Sequence, residues 1–325
     1  MKSRSKYQIS NEDISKIFLN FGVKDIGDIE ALSAGEYNSI YDVTANGKHY
    51  ILKVSPHKNF KRLTYENNMM RAEVFWYSQI REHTDIDVPE IYFTDFSKSI
   101  IPADYFIMEK VQGIQKDNVK YSKEDKAAAD SVIVRQVAQL HAVHNDKFGY
   151  VQGEKFDTWY EAYCSIITNL LDDYSKVGKT SKKGQKILEY AKKYKRSLNT
   201  AECSMVNTDC WDSNIIAVKK NGVYDYVWID PERSIWGDKI LDFACLDAFT
   251  PLEDKKSVLK EYNSVAYKKV KPDEDEKIRY AFAKGMMALI LQVEKYYRYT
   301  PLHKGWWRNV VASQICYSQA LKALK

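Results

Sequence analysis

The chain has 325 residues, 45% of them hydrophobic and 29% charged, which supports a buried core and excludes intrinsic disorder. Its net charge of +5, from 49 basic and 44 acidic residues dispersed among apolar ones, is too weak and scattered for a nucleic-acid track. Five cysteines without a CxxC pair, no signal-peptide pattern and no apolar run near the ~18 residues of a membrane span lead to the expectation of a soluble cytoplasmic protein without a membrane partner.

In chain order, residues 43–54 read as two strands around Asn46-Gly47, the strongest short hairpin signal. Residues 61–83 read as a helix, with Met70, Glu73, Val74 and Tyr77 on one face. A short strand follows at 105–108, then a connector near 108–113. Beyond it helical periodicity dominates. Ser122 with Asp125 marks a helix start, and Ile133, Val137, Leu140, His141 and His144 share a face. Two further helices are expected at about 155–176 and 184–198. After the polar stretch 205–218 and an apolar run ending at Asp230, an acidic helix start at 272–276 opens a long helix to about Tyr299. The fold class is α+β, a small β-rich lobe joined to a larger helical one. A cleft between such lobes is a common small-molecule site.

Four pieces of sequence carry chemistry. The turn 33–39 can lay backbone N–H groups against phosphate, although an ordinary hairpin turn has the same composition. Lys53 sits among β-favouring residues, and Glu73 lies on the apolar face of the next helix. An inward carboxylate needs a partner, and pairing with Lys53 would steady the ammonium for polyphosphate. Asn214 and Asp230 offer an amide oxygen and a carboxylate, suited to magnesium. Asp209 is then free to orient a hydroxyl and accept its proton. Phosphoryl transfer needs positioning and charge neutralisation more than covalent help, so these parts suffice.

Asp209-x-x-x-x-Asn214, then Ile229-Asp230, preceded by Lys53 and Glu73, resembles the protein-kinase-like fold. Asn38, Leu140-His141, Asp230-Pro231-Glu232, Gly237-Asp238 and Asp242 resemble its small-molecule branch, the aminoglycoside phosphotransferase and choline kinase family. The resemblance implies a two-lobed fold, with residues 1–110 a nucleotide-binding lobe and 111–325 a catalytic and substrate-binding lobe. It implies ATP and magnesium as cofactors, with Asp209 the catalytic carboxylate and Asn214 and Asp230 the metal ligands. Lys53, held by Glu73, would touch the α- and β-phosphates. The loop with Ser33, Gly35 and Asn38 would cover them, and Met108, Glu109 and Val111 would form the hinge against adenine. Asp242 and His141 would be structural. The sequence departs from the family at Asn207, where His is usual, and at Thr208, where Gly is usual.

The expected activity is phosphorylation of a hydroxyl on a small and cationic molecule, an aminoglycoside or other amino sugar. Glu232, Asp238 and Asp247 are the acids available to it. Choline or another amino alcohol is the alternative, with Trp236, Trp306, Trp307 and the Tyr296-Tyr297 pair as cage aromatics. A non-catalytic pseudokinase is the reading from a different class, and retention of all five catalytic-type residues argues against it. The sequence sets no oligomeric state.

Overall fold

A computed structural model describes residues 5–33, 35 and 37–325. Ala34 and Glu36, in the turn expected to cover phosphate, lie outside the described residues. Helix α1 (Asn11–Asn20) starts at Ser10, whose hydroxyl accepts from the Asp13 N–H. Strands β1 (Ile26–Leu32), β2 (Ser39–Ala45) and β3 (Lys48–Val54) follow. The β2–β3 turn places Asn46 and Gly47 at φ 49° and 72°, the left-handed pair that Asn-Gly favours. Helix α2 (Met69–His83), β4 (Ile91–Asp95) and β5 (Tyr105–Glu109) complete an antiparallel sheet of order β1-β2-β3-β5-β4.

Strand period decides what this sheet can do. Leu52 and Val54 turn to one face, where α1 buries Ile14, Ile17 and Phe18 against them. Ile51 turns to the other, against Met70 and Tyr77 of α2 and Phe106 and Met108 of β5. Lys53 shares that second face, so its side chain points at α2. Helix α2 begins later than position 61, because 63–68 form a turn. Asn68 takes φ 57°, and the Glu66 carboxylate accepts from the Leu63 N–H and from Arg298.

The chain then passes through β6 (Ile114–Gln115) into α3 (Lys123–His141), which Ser122 caps by accepting from the Asp125 N–H. Helices α4 (Trp159–Ser175), α5 (Lys182–Lys193) and α6 (Lys195–Leu198) lead to β7 (Cys203–Val206). Strands β8 (Ile215–Lys220) and β9 (Val223–Trp228) meet at Asn221-Gly222, both left-handed. They form a three-stranded sheet with β6, while β10 (Ile235–Asp238) pairs with β7. Helix α7 (Ile240–Leu246), α8 (Lys256–Val265), α9 (Glu274–Arg298) and α10 (Lys304–Ala323) complete the helical part. Asp273 caps α9, accepting from the Glu276 N–H.

The largest core runs through the helical part and takes in Trp76 of α2, whose ring lies 5.0 Å from that of Trp236. This packing holds the sheet over β7–β10, where the polar stretch lies. Gly113 lets the connector approach β8 closely, since a Cβ there would meet Ile216 Cγ2 at 2.5 Å and the Ala217 carbonyl at 2.7 Å. Gly113→Ala is expected to destabilise the protein by about 1–3 kcal/mol through overpacking, read as a lower melting temperature.

Candidate active site

The Lys53 ammonium, 1% exposed, is bonded at 2.7 Å to both Glu73 Oε1 and Asp230 Oδ1, and lies 3.7 Å from Glu232 Oε2. Three acids thus face one cation, from α2 and from the segment after β9. Burial disfavours the charged lysine, but Asp230, Glu73 and Glu232 outweigh it and hold its pKa well above the ordinary value. Burial pushes the Glu73 and Glu232 carboxyls up; Lys53 opposes this, and the neighbouring Asp230 reinforces it. Glu232 also accepts from Asn38 Nδ2 at 2.8 Å, which ties the start of β2 to the helical part. Asp230 takes φ 56° and donates its N–H to the Tyr77 hydroxyl.

Asp209 follows β7 on a loop fixed from below. The buried Asp242 carboxylate accepts from two consecutive backbone N–H groups, Asn207 at 3.0 Å and Thr208 at 2.7 Å. His141 Nε2 stands 3.1 Å from the same carboxylate and its Nδ1 is 2.9 Å from the Tyr262 hydroxyl. Asn207 is buried, and its Oδ1 accepts from the Asp209 N–H at 2.9 Å. It therefore braces the loop at the position where histidine is usual. Thr208 takes φ 57°, costly for a β-branched residue, which accounts for glycine being usual there. Two hydrogen bonds hold it so: its hydroxyl donates to the Arg233 carbonyl at 2.8 Å, and the Thr208 carbonyl accepts from Cys245 Sγ.

Asn214, at the end of a single turn (Asp212–Asn214), donates Nδ2 to Asp209 Oδ2 and to the Asp209 carbonyl, both at 3.0 Å. The Ile229 N–H donates to the Asn214 carbonyl at 2.9 Å, which brings Asp230 beside Asn214. Burial pushes the Asp209 carboxyl up; the nearby Arg233 charge opposes this and Glu294 adds to it. Lys53, Asn214, Asp230 and Asp209 line one cavity of about 1150 Å³, together with Gly35, Asn38, Met108, Glu109, Val111 and Glu232.

Against this geometry, a family model described as fructosamine kinase matches residues 11–280. The chain belongs to the fructosamine kinase family. It is thereby a small-molecule kinase with a hydroxyl acceptor, within the protein-kinase-like set to which the aminoglycoside phosphotransferases also belong. A candidate fructosamine-3-kinase from Haemophilus somnus 129PT superposes with a TM-score of 0.66 at 18% identity, over 95% of this chain and 97% of that one. The microcompartment-associated aminopropanol kinase gives 0.59 at 14% over 96% and 97%. The streptomycin–ATP ternary complex of APH(2")-IIa gives 0.58 at 15% over 95% and 97%. These likenesses establish the fold. No curated protein matches the chain.

In this kinase not every residue expected at the site reaches it. Ser33 gives its carbonyl to Lys6 Nζ and does not line the cavity. Glu73 stands behind Lys53 and not in the wall. Two expectations for the acceptor are corrected. Trp236 is buried against Trp76 because β10 pairs inward with β7. Asp238 is buried too; its Oδ2 accepts from Arg279 Nε at 2.9 Å and its Oδ1 from the Ile240 N–H. The cage aromatics also lie elsewhere: Trp306 packs on Tyr296 with centroids 4.8 Å apart, and Trp307 is 59% exposed. Trp211, 45% exposed, does line the cavity. Asp212 holds the buried Lys116 at 2.7 Å.

The sequence reading misses a buried ladder of alternating charge beneath Asp209. Glu66 pairs with Arg298 at 2.6 Å, Arg298 with Glu294 at 2.8 Å, Glu294 with Arg233, and Arg233 Nε stands 3.9 Å from Asp209 Oδ2. A signal was present: Glu294 and Arg298 are charges on the otherwise apolar stripe of a long helix, where an unpartnered charge would not be tolerated. Arg233→Met leaves Glu294 and Asp209 with less counter-charge. The expected cost is about 3 kcal/mol or more of stability, measured by denaturant unfolding. Because Arg233 lowers the Asp209 pKa, its loss raises that pKa further. The acid limb of kcat/KM against pH is therefore expected to move to higher pH.

Proposed function

We propose that this protein transfers the γ-phosphoryl group of ATP, with magnesium, to a hydroxyl of an amino sugar of the fructosamine type. The observation that carries this reading is the convergence of the Lys53 cluster, Asn214, Asp230 and Asp209 on one cavity. The family and its structural neighbours, fructosamine and aminoglycoside kinases among them, support an amino-sugar acceptor. The ATP complex of APH(2")-IIa supports ATP as donor.

The residues present fit a magnesium ion. Asn214 turns its amide nitrogen to Asp209, which leaves its oxygen as a donor, and Asp230 adds a carboxylate from the adjacent segment. Magnesium takes one or two carboxylates and completes its shell with water and phosphate oxygens, and bound there it would neutralise charge on the transferring group. Lys53, kept protonated by its acids, places a positive charge against the phosphates. Asp209 receives the proton of the acceptor hydroxyl as the oxygen attacks. A carboxyl raised by burial is a better base once ionised, and its backbone is fixed by Asp242 and Asn207 before substrate arrives. The aromatics expected to cage a quaternary ammonium, Trp236, Trp306, Trp307 and the Tyr296-Tyr297 pair, do not line the cavity, so they lend the choline-type alternative no support.

Asp209→Ala is expected to lower ATP-dependent phosphorylation of amino sugars by roughly 10²- to 10⁴-fold while nucleotide affinity stays near that of the parent. Coupled ADP release and nucleotide calorimetry check it, and unchanged turnover would sink the mechanism. Chelation of magnesium is expected to abolish transfer and its return to restore it.

A further inference from the structure

The connector between the two parts of the chain grips the loop that carries Asn214. Strand β6 pairs with the start of β8, which sets Gln115 opposite Ile216. Gln115 Nε2 also donates to the Ser213 carbonyl at 3.0 Å. Lys116, the next residue, donates to Asp212 Oδ1 at 2.7 Å. Positions 212, 213 and 216 are thus held by two neighbouring residues of the connector, and Asn214 lies between them. Val111, Gln115 and Asn214 all line the cavity that holds Asp209 and Asp230.

Stability does not explain this grip. Lys116 is 2% exposed, whereas the side chains of its two acids, Asp130 of α3 at 2.6 Å and Asp212, are 47% and 39% exposed. Both acids would stay solvated without it. Lys126 of α3 already offers them a second counter-charge, 3.1 Å from Asp130 and 3.6 Å from Asp212. The Lys116 ammonium has left water, and an apolar side chain of similar length would fill its place with less desolvation. An apolar residue could not take hold of Asp212. That acid stands three residues past Asp209 and two before Asn214, so a shift of its turn moves the amide that donates to Asp209 Oδ2.

We propose that Lys116, with Gln115, is a positioning residue for phosphoryl transfer: through Asp212 and Ser213 it fixes the turn whose last residue, Asn214, presents its amide oxygen to magnesium. The proposal rests on the magnesium phosphotransfer reading above. Outer partners that orient a metal ligand govern affinity for the ion nearly as strongly as the ligand itself. Here those partners come from the connector, so the segment that leaves the sheet also sets the metal end of the cavity.

The test compares Lys116→Met and Gln115→Ala with a control, Asp130→Asn, which removes the other acid of Lys116 and leaves its bond to Asp212. Two quantities are read: the magnesium concentration at half-maximal transfer, and amide hydrogen exchange across 211–216 in the ligand-free protein. In Lys116→Met the magnesium requirement is expected to rise roughly tenfold or more, with KM for the acceptor near that of the parent and exchange across 211–216 quickened. Gln115→Ala removes one hydrogen bond and is milder for folding; it is expected to move both quantities the same way by less. Asp130→Asn is expected to leave both near the parent. An unchanged magnesium requirement in Lys116→Met, or an equal rise in Asp130→Asn, overturns the proposal, because a purely structural ion pair lowers the melting temperature and the active fraction without weakening the ion's binding. If Lys116→Met does not fold, Gln115→Ala decides by the same criteria. If the parent transfers no phosphate with magnesium, the phosphotransfer reading falls, and exchange alone decides the positioning of the turn. Quickening in Lys116→Met but not in Asp130→Asn then supports it, and equal exchange overturns it.

Discussion

The structure depends on one ammonium. Lys53 comes from a strand, Glu73 from the helix that crosses it, and Asp230 and Glu232 from the far side of the chain, and all meet inside the protein. Removing a charge from water costs several kcal/mol even after relaxation, so such a cluster is a poor route to stability alone. Its value is positional: the sheet is registered on the helical part through these groups. Trp76 packed on Trp236 and Asn38 bonded to Glu232 reinforce the same junction with apolar area and a buried hydrogen bond.

A second buried carboxylate does for the loop what Lys53 does for the cleft. Asp242 accepts from two adjacent backbone N–H groups and approaches His141, so the residues before Asp209 have little freedom. This explains how the loop tolerates Asn207 and Thr208. Asn207 supplies a hydrogen bond to the Asp209 N–H, and the hydroxyl bond of Thr208 to Arg233 offsets its left-handed backbone. Beneath them the Glu66–Arg298–Glu294–Arg233 ladder sets the electrostatics at Asp209, with each charge answered by the next.

Much of this was legible in the sequence for local reasons. Both Asn-Gly turns and the Ser122 and Asp273 caps follow from backbone preferences within a few residues. Lys53 and Glu73 were legible because strand period 2 and helix spacing each put a charge on an apolar face. The helix from 61 was overextended, since periodicity does not register that Glu66 is drawn away by Arg298, 232 positions distant. Asp238 reads as an acceptor acid from its place soon after Asp230-Pro231-Glu232, and Trp236 as a cage aromatic from its ring. The pairing of β10 with β7 turned both into the core.

By itself the sequence determined the elements, the family resemblance, and the residues whose spacing places a carboxylate, an amide and a lysine in one chemistry. These are short-range properties: period, capping and side-chain type within a segment. Only the tertiary structure decided which acids remain open to a ligand and which are already answered. Glu232, Asp238 and Asp247 are alike as letters, yet Asn38, Arg279 and Lys255 engage them from distant segments. The charge of a cavity is set by pairs across the fold, and no local pattern contains both members.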